Sequence, residues 1–482
     1  MNKEDNFGRL LLLLLITLSI CLGLYYLPDR LFGIKIKKVD LLSDIRVKPE
    51  SLSMDSLRMQ LEEPDTVRID SVAVLDSIRK TTGIDSVALA LRDSLYQVMY
   101  ADKGADSLGT HIEDYSVGHI ALKRFFAALR NCKEEGRPAR VAFLGDSFIE
   151  GDIMVADFRS GMQQLFGGRG VGFVPVTSVA AQFRPTVEQK AEGWTTWSML
   201  TDHRHRYTLS GMTFEPKGEK PSISVKTANR YPELETVSSL KFLYEENTCT
   251  QMTLVCNSTQ DTVREILEPT SVITQYEQTG SFTEAAFCFT DTAGFRALGV
   301  ALEDNSGVIV DNYSLRGNSG MNLARLDSAR CRELNEIRPY DLVVLQYGLN
   351  VVNDSVLQYG WYAKRMEEVV RHVRVCFPNA DILMLGVSDR SRQVDGTFET
   401  MPAVLALLHA QRQTARRSGI AFWNVFGAMG GENSMVRFVE NNWASKDYTH
   451  LSFRGGKEIA SALVNAILLE KEFYDEADQV VH

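Results

Sequence analysis

The hydrophobic pattern changes period several times along the chain. Leu10 to Leu27 is 18 residues without a charge, ended by Pro28. As a helix it would be about 27 Å long, close to the hydrocarbon thickness of a bilayer. It is long for a signal-peptide core, and no small-x-small cleavage site follows it. Ile20 stands where a lipoprotein box before Cys21 needs a small residue. The expectation is a short tail, 1–9, then an uncleaved transmembrane helix, 10–27. Residues 28–113 are polar, with short apolar pieces such as "VALALRDSLYQVM" that suggest a few helical turns. They read as a juxtamembrane spacer that lifts the body off the membrane.

From Ile120 the pattern is that of a folded body. "IALKRFFAALRNC" puts Ile120, Leu122, Phe125, Phe126 and Leu129 near one helical face. "RVAFLGDS" follows as a buried strand, Val141 to Leu144, ending in a Gly turn. "DIMVADFRSGMQQLFGG" then spaces Val155, Phe158, Met162 and Leu165 at helical intervals before Gly167-Gly168. Three further strand runs, 340–348, 380–389 and 420–429, alternate with the helical stretches "YAKRMEEVVRHVRVCF" and "AVLALLHAQRQTARR". Alternating strand and helix predicts an α/β domain with a parallel sheet covered on both faces. Sites in such sheets lie at the C-terminal ends of strands. Between 173 and 306 the runs are short, β-rich and separated by polar turns, which predicts a β-sandwich inserted after the first helix. "GVIVDNYSLRGNSG" (307–320) reads as the return to the parallel sheet.

Composition narrows the classes. The chain of 482 residues is 44% hydrophobic and 24% charged, with a net charge of -10. That balance gives no footprint for nucleic acid. Seven cysteines show no paired metal spacing, and the closest pair, Cys249 and Cys256, is too isolated for a zinc site.

Asp-Ser occurs nine times, six of them before residue 108, so the pair alone carries no information. Ser147 differs by its place at the C-terminal end of a predicted buried strand. A serine hydroxyl needs a base, usually a histidine oriented by a carboxylate. Of eight histidines, His372 and His409 lie in helical patterns and His111 and His119 precede the first strand. His203 and His205 fall in the insert, in "DHRHR", which reads as a solvated basic loop rather than a metal site. His482 is terminal. His450 sits in a loop just ahead of a helix, with Asp447 three residues before it.

Gly145-Asp146-Ser147 together with Asp447-x-x-His450 resembles the SGNH (GDSL) hydrolase family. Its glycine block matches "SLRGNSG" and its Gly-x-Asn block matches "YGLN". The four blocks occur in order over roughly residues 114–172 and 307–470. Val351 departs from the pattern, where many members carry Asp or Glu. The resemblance implies a flavodoxin-like, three-layer α/β/α domain in two parts, 114–172 and 307–482. It also implies catalysis by Ser147, His450 and Asp447, with the Ser147 N–H, the Gly317 N–H and the Asn350 side chain as oxyanion hole. Each such donor is typically worth about 10²–10³ in rate. Asp146 is expected to hold the serine loop.

The insert and "FRSGMQQLFGGRGVGFVP" are similar to bacterial peptidoglycan O-acetylesterases, which carry a carbohydrate-binding-like module at this place. Trp194 and Trp197 in "EGWTTWS" suit stacking on sugar rings or, equally, packing of the insert core. The expectation is a membrane-anchored serine esterase acting on an acetylated cell-envelope polysaccharide, peptidoglycan first, with no cofactor and no metal. An O-acyltransferase with the same triad and an inert glycan-binding envelope protein are the alternatives. Lys3 and Arg9 before the apolar run, against Arg30, Lys35, Lys37 and Lys38 after it, would by charge count leave the body in the cytoplasm. The envelope substrate implied by the resemblance places it in the periplasm or outside.

Overall fold

The structure, a computed structural model, describes residues 86–101, 111–133, 137–257 and 262–481, with residues 30, 31, 34 and 35. Residues 1–52 form a unit of their own, in which Arg30–Leu31 pairs antiparallel with Ile34–Lys35. The apolar run 10–27 lies outside the described residues. Among those that are described, no helix is long and apolar enough to cross a membrane.

The second unit is organised on a six-stranded sheet. Its order is Val308–Ser314, Ala139–Gly145, Leu342–Gln346, Asp381–Leu385, Ala421–Trp423 and Glu113–Asp114. The first five strands are parallel and the last is an antiparallel edge. Counted along the chain, the parallel strands run 2-1-3-4-5, the flavodoxin-like order. Every residue of Ala139–Gly145, Leu342–Gln346 and Asp381–Leu385 is buried. Strands covered on both faces lose the alternation of a half-exposed sheet, which is why they read as unbroken apolar runs. Helix Val155–Phe166 packs with Phe453–Val481, and Gly360–Cys376 with Pro402–Ser418. Right-handed crossovers put the first helix on one face and those after the reversal on the other.

Two readings are corrected. The run 420–429 is strand only over Ala421–Trp423, because the Asn424 side chain accepts the Gly427 N–H at 3.0 Å and starts a short helix, Val425–Ala428. The region read as a spacer contains the helix Ser86–Ala101, which is folded onto the body. Its Leu89 and Arg92 are buried, and the Arg92 Nε–H donates to the Gly118 carbonyl at 2.9 Å. The Arg92 guanidinium lies 5.0 Å from the Tyr474 ring centre on the last helix.

After helix Val155–Phe166 the chain leaves the parallel sheet and builds two antiparallel ones. One runs Thr274–Phe282, Val237–Glu246, Arg296–Glu303, Met212–Pro216, Trp194–Ser198, with Gly170–Pro175 also paired to Arg296–Glu303. The other runs Thr262–Ile266, Gln251–Cys256, Glu284–Thr290, Ser222–Thr227, Val187–Glu192. Their inner faces share one apolar core around Phe242, Phe287, Phe289 and Phe295. The insert is welded to the parallel sheet by buried charge. Glu303 accepts hydrogen bonds from Arg140 (3.0 and 3.1 Å), Arg338 (3.1 and 2.8 Å) and Lys241 (3.0 Å). Burial pushes the Glu303 carboxyl up, but these cations outweigh it and hold it well below the usual range. Such a network fixes orientation more than it adds net stability.

Candidate active site

Ser147 follows the first strand of the sheet, beside the point where strand order reverses. Gly145 permits the turn: a Cβ there would lie 2.5 Å from the Ile149 side chain and 3.1 Å from the Gln346 carbonyl. The neighbouring Asp146 is fully buried. Its Oδ1 accepts the Phe148 N–H at 2.9 Å and its Oδ2 accepts Asn350 Nδ2–H at 3.0 Å. Burial raises its carboxyl to about 6 against these hydrogen bonds. Asp146 thus ties the serine loop to the Asn350 loop.

The base comes from the far end of the chain. His450 Nε2 lies 3.2 Å from Ser147 Oγ, and His450 Nδ1 lies 2.7 Å from Asp447 Oδ2. The other carboxylate oxygen of Asp447 accepts the backbone N–H groups of Thr449 (2.9 Å) and His450 (3.0 Å) and the Ser445 hydroxyl. One oxygen therefore folds the loop and the other is left for the imidazole. Partial burial raises the Asp447 carboxyl, but the bonds from Ser445, His450 and Thr449 outweigh it and hold it below the ordinary carboxylate range. A carboxylate that stays ionised orients the ring and stabilises an imidazolium.

Tyr448, between the two, adopts φ +53, and its ring stacks on Phe398 at 3.6 Å with an interplanar angle of 8°. Phe398 belongs to a hairpin, Ser391–Val394 with Thr397–Thr400, whose Ser391 N–H donates to the Tyr448 carbonyl at 3.2 Å. The hairpin backs the histidine loop. Two glycines at the start of the last helix complete the approach. A Cβ on Gly455 would meet the Trp443 carbonyl oxygen at 2.0 Å, and one on Gly456 the Met154 backbone nitrogen at 2.5 Å.

Gly317 has φ +78, and the space where its Cβ would stand is open. Among the described residues, neither its N–H nor that of Ser147 donates to a protein acceptor. Both are available to a developing oxyanion. Asn350 is more committed: its Nδ2 donates to Asp146 Oδ2 and, at 3.1 Å, to the Asn318 carbonyl. Donation to an oxyanion requires one of these bonds to be shared or given up. Arg316, beside Gly317, is paired through Nε at 2.8 Å with Glu150 of the serine loop.

The structure does not join the two tryptophans into one platform. Three residues apart on one strand, they point to opposite faces. Trp194 packs on the sandwich core, edge-on to Phe289 at 5.8 Å, with its indole N–H on the Ser222 carbonyl. Trp197 donates to Glu215, stacks on His205 at 4.8 Å and lies 5.2 Å from the Arg204 guanidinium. His205 in turn binds Asp202 at 2.8 Å, so it is part of a loop network and not of a solvated basic stretch.

The sequence reading missed Ser445, the Phe398–Tyr448 stack, the Arg316–Glu150 pair and the roles of Asp152 and Gly456. Only the Gly455-Gly456 doublet beside the histidine block offered a signal.

No family model matches the sequence, and no curated protein matches it. Among solved structures, one of a peptidoglycan O-acetylesterase superposes with a TM-score of 0.59 at 21% identity, over 74% of this chain and 98% of that one. A carbohydrate acetylesterase from Sinorhizobium meliloti (18% identity, 33% and 78% covered) and a family two carbohydrate esterase from Cellvibrio japonicus (9%, 60% and 99%) reach only 0.24 and 0.26. The resemblance to SGNH hydrolases read from four motifs extends to the fold, which this chain shares with a peptidoglycan O-acetylesterase.

Proposed function

We propose that this protein is a serine esterase that removes O-acetyl groups from a cell-envelope polysaccharide, peptidoglycan, through an acetyl-enzyme. The observation that carries the reading is the chain Ser147 Oγ, His450 Nε2, His450 Nδ1, Asp447 Oδ2, with steps of 3.2 and 2.7 Å. Ser147 Oγ attacks the ester carbonyl as its proton passes to His450 Nε2. The negative charge on the carbonyl oxygen falls to the Ser147 and Gly317 N–H groups, with Asn350 as third donor. Collapse breaks the bond to the sugar oxygen, which takes the proton from His450. Water then attacks the acetyl group, His450 accepts its proton, and collapse releases acetate and returns the proton to Ser147. No step needs a metal or cofactor.

The substrate assignment draws on the fold shared with a peptidoglycan O-acetylesterase and on the inserted sandwich. It goes with anchoring by residues 10–27 in the inner membrane and a body in the periplasm or outside. The test is acetate release from O-acetylated peptidoglycan against acetylated xylan, with and without an acceptor glycan. Preferential release from peptidoglycan supports the reading. Release only from xylan would move the substrate, and transfer to the acceptor in place of release would make the protein an acyltransferase.

A further inference from the structure

The serine loop carries an unusual backbone. Gly151, Asp152 and Met154 all have positive φ, at +66, +65 and +66. Left-handed conformations at two non-glycine residues so close together persist only where the surroundings over-determine them. Those surroundings converge on the Asp152 carboxylate, which is fully buried. It accepts Arg159 Nη1–H at 3.2 Å from the following helix, and Asn312 Nδ2–H at 2.9 Å from the strand that leads to Gly317. It also accepts Arg184 Nε–H at 2.9 Å and the Thr186 hydroxyl, and both of these residues belong to the insert. Asn312 reaches back to the Ile149 carbonyl at 3.0 Å. The insert makes one more contact on this loop. Phe183 lies over Gly151 so closely that a Cβ there would stand 2.4 Å from its ring. A cavity of about 30 Å³ lies between the two parts, with Gly151, Arg184, Asn312 and Ser314 among its lining residues.

We infer that the inserted β-sandwich is a working part of the catalytic centre: Thr186 and Arg184 are positioning residues that, through Asp152, set the nucleophile loop against the Gly317 loop. The inference rests on the esterase reading. It differs from a purely glycan-gripping role, in which the insert would matter only for long substrates. A hydroxyl and a guanidinium from the insert hold a carboxylate five residues from Ser147. Losing one frees a loop whose displacement by a fraction of an ångström misaligns attack and oxyanion donation together.

Thr186 gives a clean test, because valine keeps its shape and removes the hydroxyl, whereas serine keeps the hydroxyl. On a small soluble ester, 4-nitrophenyl acetate, Thr186→Val should lower kcat about tenfold with KM within about twofold, and Thr186→Ser should restore most of the rate. Arg184→Lys should be milder than Arg184→Gln. The same variants should slow labelling of Ser147 by a fluorophosphonate in the same order, a readout that needs the nucleophile but no acetyl-glycan chemistry. Unchanged kcat and labelling in Thr186→Val with only a lowered Tm would overturn the inference and leave a structural contact. If the unmodified protein is labelled at Ser147 but releases no acetate from any glycan, the substrate reading fails and the labelling order still decides the inference. Absence of labelling in the unmodified protein would overturn both.

Discussion

The two sides of the triad are held by opposite means. On the nucleophile side, Asp146 and Asp152 are fully buried and, beside the nearby Phe148 and Arg159, have partners far away in sequence, in Asn350, Asn312 and the insert. On the base side, the Asp447 and His450 side chains are about half exposed, at 50% and 44%, and the hydrogen bonds that shape their loop run almost entirely between residues 445 and 450. Burial drives the Asp146 carboxyl up, whereas a cluster of local donors drives the Asp447 carboxyl down. The position of the serine thus depends on distant parts of the fold, and that of the histidine mainly on one turn, backed by the 391–400 hairpin.

The comparison predicts that the base can be disabled without cost to the fold. Ser147→Ala and His450→Ala should each lower kcat by at least about 10³, and the double variant should be little worse, because the residues act as a unit. Asp447→Asn should lose less. All three should leave Tm within about 2 °C of the unmodified protein in a thermal melt. A large drop in Tm for Asp447→Asn would show that the turn is coupled to the core after all.

Gly456 sits at the joint between the two sides. Helix propensity alone favours alanine there by about 1 kcal/mol. A Cβ 2.5 Å from the Met154 backbone nitrogen reverses that sign, since a backbone atom cannot swing away as the end of a flexible side chain can. Gly456→Ala should move the last helix off the serine loop and cut kcat by about tenfold, with the far-ultraviolet circular dichroism unchanged. Full activity would mean that the serine loop yields more easily than its buried bonds imply.

The smallest effect separates the two carboxylates by pH. With Asp146 raised from 3.8 to about 6, the folded protein binds a proton in that window that the unfolded chain has released. Its contribution to stability is therefore greatest below the window and declines as pH rises through it, by up to about 3 kcal/mol. Asp447 has the opposite sign: its contribution is present above the unfolded value and is lost as pH falls towards its depressed one. The Tm of the unmodified protein minus that of Asp146→Asn should fall between about pH 4 and pH 6.5, and the corresponding difference for Asp447→Asn should not. A flat Asp146 difference would remove burial as the cause of its shift.

The catalytic motifs were legible in the sequence because parallel strands are short apolar runs, and the serine, glycine and asparagine blocks each stand at the end of one, while the Asp447-His450 block precedes the last helix. Ser147, Gly317, Asn350, Asp447 and His450 all lie in loops at or beyond those ends. The sandwich was legible from its short alternating strands. The Asp152 hub was not, since Arg184, Thr186 and Asn312 stand 32, 34 and 160 residues away from it and nothing local marks them. The edge strand Glu113–Asp114 is two residues long and has no periodicity to read. Trp194 and Trp197 looked like a pair only on paper, because a spacing of three joins residues on a helix and separates them on a strand.

The neck of the insert bears on how the chain finds its fold. Gly170–Pro175 lies antiparallel to Arg296–Glu303, Asp304 N–H reaches the Arg169 carbonyl at 3.0 Å, and Val308 N–H reaches the Gly167 carbonyl at 2.8 Å. The chain departs and returns at one point. Strand Ala139–Gly145 has both of its sheet neighbours, Val308–Ser314 and Leu342–Gln346, on the far side of that excursion. Without the neck, pairing them would mean closing a loop of about 140 flexible residues, with the entropy cost that such closure carries. Once the sandwich has condensed, its two ends are already side by side, and the hydrolase sheet can assemble as though the excursion were a tight turn. The order of events this favours is middle first, flanks second, so the strands from Val308 onward complete a sheet whose first strand was made long before.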